Sequence, residues 1–215
     1  AEPLDEVDVS WHGLAGDRRW AFVRDGLERS GFPWFTIRER SDMWHYRPSF
    51  LDPSRPDASK TFVRTPDGRE LDVVDPELAA ELGPGVRVIK QNRGVFDASP
   101  LSLMTTQTVA ALGSLVSEDL DPRRFRPNLL VEASGDEPFA EDGWVGSTLQ
   151  IGAAQMRVDL RDERCVIVNV DPATSRRDPA ILKTIARVRE ACLGVYGATV
   201  TPGRIALGDP LLLAG

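Results

Sequence analysis

RCVIVNVDPATSRRDP, residues 164–179, joins two structural signals to one chemical signal. Val166–Val170 is a β-branched run closed by Asp171-Pro172, which predicts a strand. Asp178-Pro179 then predicts a helix start. An aspartate there accepts from first-turn N–H groups, and a proline there gives up an N–H that would have no partner. A predicted strand and a predicted helix start thus share this one stretch. Cys165 heads the run, directly after Arg164, in a chain with two cysteines. A fixed positive charge favours the thiolate, which is both a nucleophile and a soft-metal ligand. A cysteine packed in a core is only a small hydrophobe. From the residues alone, both descriptions of Cys165 stand.

Downstream, Ile181, Leu182, Ile185, Val188 and Cys192 fall on one apolar helical face with Gly194 near its end, so Cys192 reads as core. Residues 200–213 read as two short strands around Pro202-Gly203. Upstream, Asn128–Glu132, Thr148–Ile151 and Gln155–Leu160 read as strands. Thr106–Leu120 has helical spacing, with Val109, Leu112 and Leu115 or Val116 on one side. Residues 86–90 read as a strand and 76–83 as a short helix ended by Gly83. Thr61–Thr65 and Glu70–Val74 flank Asp67-Gly68, a hairpin signal. Residues 40–60 read as a long loop, and Val7–Trp11 and Arg18–Arg24 as strands around a Gly13–Gly16 turn. Many short strands with few helices predict a β-barrel with peripheral helices, mixed α and β in class. A boundary near residue 92 separates a β-rich part, 1–92, from a barrel domain, 93–215.

The chain's 215 residues, 41% of them hydrophobic, suffice for one large domain or two small ones. The formal net charge of −7 argues against a nucleic-acid partner. No apolar run approaches a membrane span, so a membrane is not expected. Two distant cysteines form neither a disulfide framework nor a zinc site, and the expected setting is reducing and cytoplasmic. His12 and His45 are too few and too separated for a histidine metal site. Trp34, Trp44 and Trp144 read as packing residues.

Three further stretches carry candidate chemistry. In DPRRFRPNLLVE (121–132), an extended backbone would put Arg124 and Arg126 on one side, and with Asn128 they could clamp an anion. The same stretch also reads as a solvated basic turn balanced by Glu118, Asp119 and Asp121. In GLAGDRRWAFV (13–23), register decides whether Arg18 or Arg19 faces a site, and the spacing and lysine of a phosphate loop are absent. Thr105 or Thr106 begins a helix whose free N–H groups suit an anion, or simply caps it.

Read in order, AGDRRWAFV (15–23), PLSLMTTQTVAALG (100–113), RFRPNLLVE (124–132), FAEDGWVGSTLQIG (139–152), RCVIVNVDPAT (164–174) and PGRIALGDPLLL (202–213) resemble the MOSC domain. That domain ends the molybdenum-cofactor sulfurases and occurs in the amidoxime-reducing molybdenum enzymes. Residues 1–92 resemble its β-rich companion domain, shortened at the start. The resemblance implies a β-barrel that binds molybdenum cofactor (molybdopterin). It makes Cys165 the metal or sulfur ligand and the catalytic residue. It makes Arg126 and Asn128 contacts to the pterin or phosphate, with Arg18 and Arg164 as further contacts and Thr106 as a weaker one. Three departures bear on this: a Lys-Ser contact ahead of the first motif is missing, Ser175 replaces the usual glycine, and Glu163 replaces a small polar residue.

The activity implied is that of a molybdenum-dependent oxidoreductase acting on a small-molecule substrate such as an N-hydroxylated compound. With no cysteine cluster for iron and sulfur, its electrons would come from a separate donor protein. The alternatives are sulfur transfer through a Cys165 persulfide and a non-catalytic cofactor carrier.

Overall fold

A computed structural model describes residues 3–26 and 32–214. Its first half runs β1 (Glu6–Ser10), β2 (Gly13–Leu14), β3 (Trp20–Arg24), β4 (Trp34–Phe35), β5 (Arg47–Phe50), β6 (Thr61–Arg64), β7 (Glu70–Asp72), α1 (Pro76–Leu82) and β8 (Val86–Lys90). The second half runs β9 (Leu101–Thr105), α2 (Thr106–Val116), β10 (Leu129–Val131), β11 (Thr148–Ile151), β12 (Ala154–Glu163), α3 (Pro179–Arg189), β13 (Cys192–Thr201), β14 (Gly203–Ala206) and β15 (Leu211–Ala214). The chain divides into two compact units. One comprises Ala1–Ala15, Phe96–Asp171 and Arg177–Gly215; the other comprises Gly16–Val95 and Pro172–Arg176.

The first unit is built on a six-stranded sheet in the order β10-β9-β13-β12-β11-β15. Only the β9–β10 pair in it is parallel. Three register shifts along the ten residues of β12 bend that strand, as bulges do, and curl the sheet into an open half-barrel. A three-stranded sheet, β14-β1-β2, shares its core: Val9, Leu14 and Ile205 pack with Leu101, Leu103, Leu149, Met156 and Val195. A second cluster joins Met104, Leu112, Phe125, Val168, Ile181, Ile185 and Leu193, where α2 and α3 pack. Every residue of β9 is buried, as expected of a strand covered on both faces. The mixed α and β class, with a barrel-like sheet and peripheral helices, is the one the sequence predicts.

Leu193 and Val195 are two apart yet lie in different clusters. Gly194 between them has φ +78, and a Cβ there would stand 2.8 Å from the Leu103 carbonyl oxygen. Only glycine combines that backbone angle with that approach.

Several expectations are corrected here. Val166–Val170 is not a strand; Val166–Asn169 forms a single 3-10 turn. The turn buries Val168 and Val170 while leaving Val166 exposed, and Asn169 Oδ1 accepts from Leu182 N of α3 at 2.9 Å. Docking on α3 therefore overrides the β preference of the valines. α3 begins as predicted, with Asp178 Oδ1 accepting from Ala180 N at 2.8 Å. It stops at Arg189, because Glu190 and Ala191 take left-handed φ values of 55° and 64°, so Cys192 opens β13 instead of closing the helix. α2 stops at Val116, where Ser117 turns left-handed, instead of reaching Leu120. β9 appears where the sequence suggested only a helix start.

The second unit contains the sheets β4-β3-β8 and β5-β6-β7, with α1 between small apolar clusters around Phe35 and Leu78. The β6–β7 hairpin turns at Gly68 as predicted, with Gly68 N donating to Thr65 O at 3.0 Å. Residues 40–60 are more ordered than a loop: a 3-10 turn, Ser41–His45, leads into β5, an edge strand that tolerates Pro48. Ser175 has φ +58, which accounts for a glycine preference at that position. Its Oγ donates to Ser41 O at 3.1 Å and lies 2.9 Å from His45 Nε2.

Candidate functional site

Cys165 begins the 3-10 turn from an extended backbone, and its side chain does not cap that turn. It is half-buried and unbridged. Arg164, directly before it, turns inward. Its Nε donates to Leu193 O at 2.7 Å, its Nη1 donates to Phe125 O at 2.9 Å, and the same Nη1 lies 3.0 Å from Asp162 Oδ2. Burial pulls the Arg164 guanidinium down from its ordinary value, while Asp162, Tyr196 and Cys165 push it back up. Arg161, which the sequence also places before the thiol, engages Glu190 Oε2 (2.9 Å), Arg189 O (2.8 Å) and Asp142 (3.1 Å).

The RFRPN stretch is not extended. Pro122–Phe125 form a 3-10 turn, with Asp121 capping Arg123 N, and Arg126 follows in left-handed conformation. This corrects the pairing of Arg124 with Arg126. Arg124 is 1% exposed and donates to Val168 O at 3.3 Å and to Asp171 Oδ2 at 3.1 Å. Arg126 is exposed. Arg123 is also exposed and lies against Asp121.

Asn128 is held by one residue of β9. Its Oδ1 accepts from Ser102 N at 3.0 Å and from Ser102 Oγ at 3.1 Å, which fixes the orientation of the amide. Its own backbone N–H donates to Ser102 Oγ at 3.0 Å.

At the start of α2, Thr105 is the cap and Thr106 the first helical residue. The anion at this helix start is internal. Glu141, fully buried, accepts from Thr105 N (3.2 Å), Thr105 Oγ1 (2.9 Å) and Thr108 Oγ1 (2.9 Å). Thr106 is exposed, and its hydroxyl donates to Gln107 at 3.1 Å.

Arg18 belongs to the second unit and has φ +52, with its Nη1 3.1 Å from Asp17 Oδ2. Its neighbour Arg19 is buried and structural. Arg19 Nε lies 2.7 Å from Asp57 Oδ1, which also accepts from Gly16 N at 3.0 Å.

Cys192 lies at the start of β13. Burial pushes its thiol up, against the pull of Arg161. Among the described residues, no three of His, Cys, Asp and Glu converge as a metal cage. A single soft thiol suits a metal that is already held by a larger group. Cys165 offers a soft sulfur, Arg126 an exposed guanidinium and Asn128 an oriented amide, which are donor types that molybdenum cofactor would call for.

The MOSC domain model matches residues 90–212, over half of the chain. The chain belongs to the MOSC domain family. MOSC proteins are associated with molybdenum cofactor. Human mitochondrial amidoxime-reducing component 1 is 31% identical over 134 residues, a match covering 55% of this chain and 38% of that protein. Its zebrafish (Danio rerio) counterpart is 32% identical over 126 residues, covering 54% and 37%. This MOSC chain therefore spans under two fifths of the length of these relatives. The YuaD protein of Bacillus subtilis shares the fold, with a TM-score of 0.51, 12% identity, and coverage of 98% of this chain and 85% of that one. Among the described residues, no helix of this MOSC protein is long and apolar enough to cross a membrane.

Glu141, Ser102 and Asp162 escaped the sequence reading. All three are buried polar residues that orient others. Glu141 sits inside the FAEDGW motif beside a second acidic residue, Asp142, and nothing local in the sequence says which of the two is buried.

Proposed function

We propose that this MOSC protein binds molybdenum cofactor and acts as an oxidoreductase on a small N-hydroxylated compound, with electrons from a separate donor protein. The carrying observation is the placement of Cys165: the residue that opens its 3-10 turn is tied, through Arg164, to the carbonyl of the residue before Arg126. Two motif segments about 40 residues apart are thereby brought together within the MOSC stretch. The likeness to amidoxime-reducing components supports the substrate class.

Cys165 would hold the metal, and Arg126 and Asn128 would hold the pterin or phosphate, with Thr106 as a weaker contact. The cofactor, when bound, supplies the oxygen-atom and electron chemistry. The chain contributes binding and orientation. Arg126 offers a planar guanidinium fork suited to phosphate, and Ser102 holds the Asn128 amide in one orientation. Arg164 stabilises the segment that carries the thiol.

The test is purification from a cofactor-competent host with molybdenum and pterin measured on one sample. An amidoxime reduction assay with a reduced viologen as artificial donor follows. Stoichiometric metal with turnover supports the reading. Metal without turnover leaves a cofactor carrier. A persulfide on Cys165 with no molybdenum overturns the reading in favour of sulfur transfer.

A further inference from the structure

Arg124 and Arg164 each cross between the two segments that carry the candidate ligands, and in opposite directions. Arg164, one residue before Cys165, reaches Phe125 O, one residue before Arg126. Arg124, two residues before Arg126, reaches Val168 O and Asp171, three and six residues after Cys165. Arg164 is also fastened at the start of β13, by its N–H to Ala191 O, just before the strand, at 2.8 Å and by its Nε to Leu193 O within it. Cys165 is thus flanked on both sides by ties that cross to or from the segment holding Arg126 and Asn128, with Arg164 anchored to β13 as well.

We infer that Arg124 and Arg164 are positioning residues, a reciprocal clasp that fixes the Cys165 thiol relative to Arg126 and Asn128. A four-residue 3-10 turn has too few internal bonds to hold its own geometry. Two apolar side chains could fill the same space, and a buried ion pair adds little net stability over them. A guanidinium differs from an apolar group in presenting several donors in fixed directions, so what it adds is geometry. This inference rests on the reading of Cys165 as the metal-binding thiol.

The variants are Arg124→Met and, as a milder change that keeps the packing, Asp171→Asn. Arg164→Lys keeps the charge beside Cys165 but removes the fork. Full-length chain from a host unable to make the cofactor is treated with iodoacetamide at one fixed pH, and both cysteines are followed by peptide mass. The expected result is a rise of about tenfold in the Cys165 rate, from local opening of its turn, with the Cys192 rate unchanged. In protein from a cofactor-competent host, the molybdenum-to-pterin ratio should fall by a similar factor while pterin is retained, since a small misplacement of one ligand is costly. Rates at both cysteines rising together, in step with a lower Tm, would mean the arginines only support the fold and would overturn the clasp. So would an unchanged Cys165 rate. If the unsubstituted protein carries neither metal nor pterin, the cofactor reading fails by itself, and the clasp is decided by the alkylation result.

Discussion

Replacing Glu141 tests whether the start of α2 is closed from within. Its carboxyl group accepts three hydrogen bonds and is fully buried. Glu141→Ala orphans all three donors. Thr105 Oγ1 lies 3.0 Å from Thr108 Oγ1, so one hydroxyl recovers a partner by rotation. Two donors then stay unsatisfied, each costing about 1–3 kcal/mol. The expected loss is about 2–6 kcal/mol, a large part of the roughly 5–15 kcal/mol that holds a typical domain together. Glu141→Gln keeps the shape and one acceptor oxygen, and its amide nitrogen can donate to a hydroxyl turned the other way. It should cost about 1–2 kcal/mol, near the worth of one ordinary hydrogen bond. Urea unfolding at neutral pH reads both values. If Glu141→Ala cost no more than Glu141→Gln, the donors would have found water or other partners, and the idea of an internal anion at this helix start would be wrong.

Arg126→Ala should weaken cofactor retention about tenfold to hundredfold, as expected for losing a charge-assisted bond. Arg123→Ala, which removes only an exposed pair with Asp121, should have little effect; pterin fluorescence after dialysis compares them. Cys165→Ser should abolish molybdenum retention while the half-buried site tolerates the hydroxyl, so metal analysis changes and Tm moves little. Gly194→Ala should destabilise by roughly 1–3 kcal/mol through its positive φ, and by more if the Leu103 carbonyl cannot shift, as thermal unfolding would show. Tyr46, raised to about 12 by burial and by its bond to Glu81, favours the folded state fully below the ordinary tyrosine value near 10. That contribution should fade between about pH 10 and 12. Tyr46→Phe should flatten the fall in Tm over this interval, and an equal slope in both proteins would refute the assignment.

Part of the fold was legible because some elements obey simple local patterns. Thr148–Ile151 in the half-barrel and residues 86–90 in the second unit have the bounds the sequence predicts, and Asp178 caps where expected. The errors cluster where tertiary contacts outweigh local preference. Val166–Asn169 is β-branched, yet its turn is set by bonds to α3 and to Arg124. β9 reads as a helix leader because Ser102 and Thr105 interrupt its apolar run, and both are buried with partners at Asn128, just before β10, and at Glu141. The site was partly legible: motif order singled out Cys165, Arg126 and Asn128. Alternation misjudged Arg124, because a two-residue period means nothing in a 3-10 turn. Which arginine faces inward depends on carbonyls some 30–45 residues away, and no local pattern encodes that.

The pairing of β1 with β14 has a consequence for how the chain comes off the ribosome. Glu6 and Arg204, joined across this ladder, are 198 positions apart. At about 5–20 residues per second, translation leaves β1 waiting roughly 10–40 s for its mate. The 16–95 unit, whose strands pair among themselves, can complete its sheets in that interval. Until β14 emerges, β1 has only the two-residue β2 beside it and its other edge is unpaired, and such an edge is open to pairing with another nascent copy. Slow translation or crowded polysomes should therefore harm the yield of this protein through its first strand, long before the cysteine-bearing segment has been made.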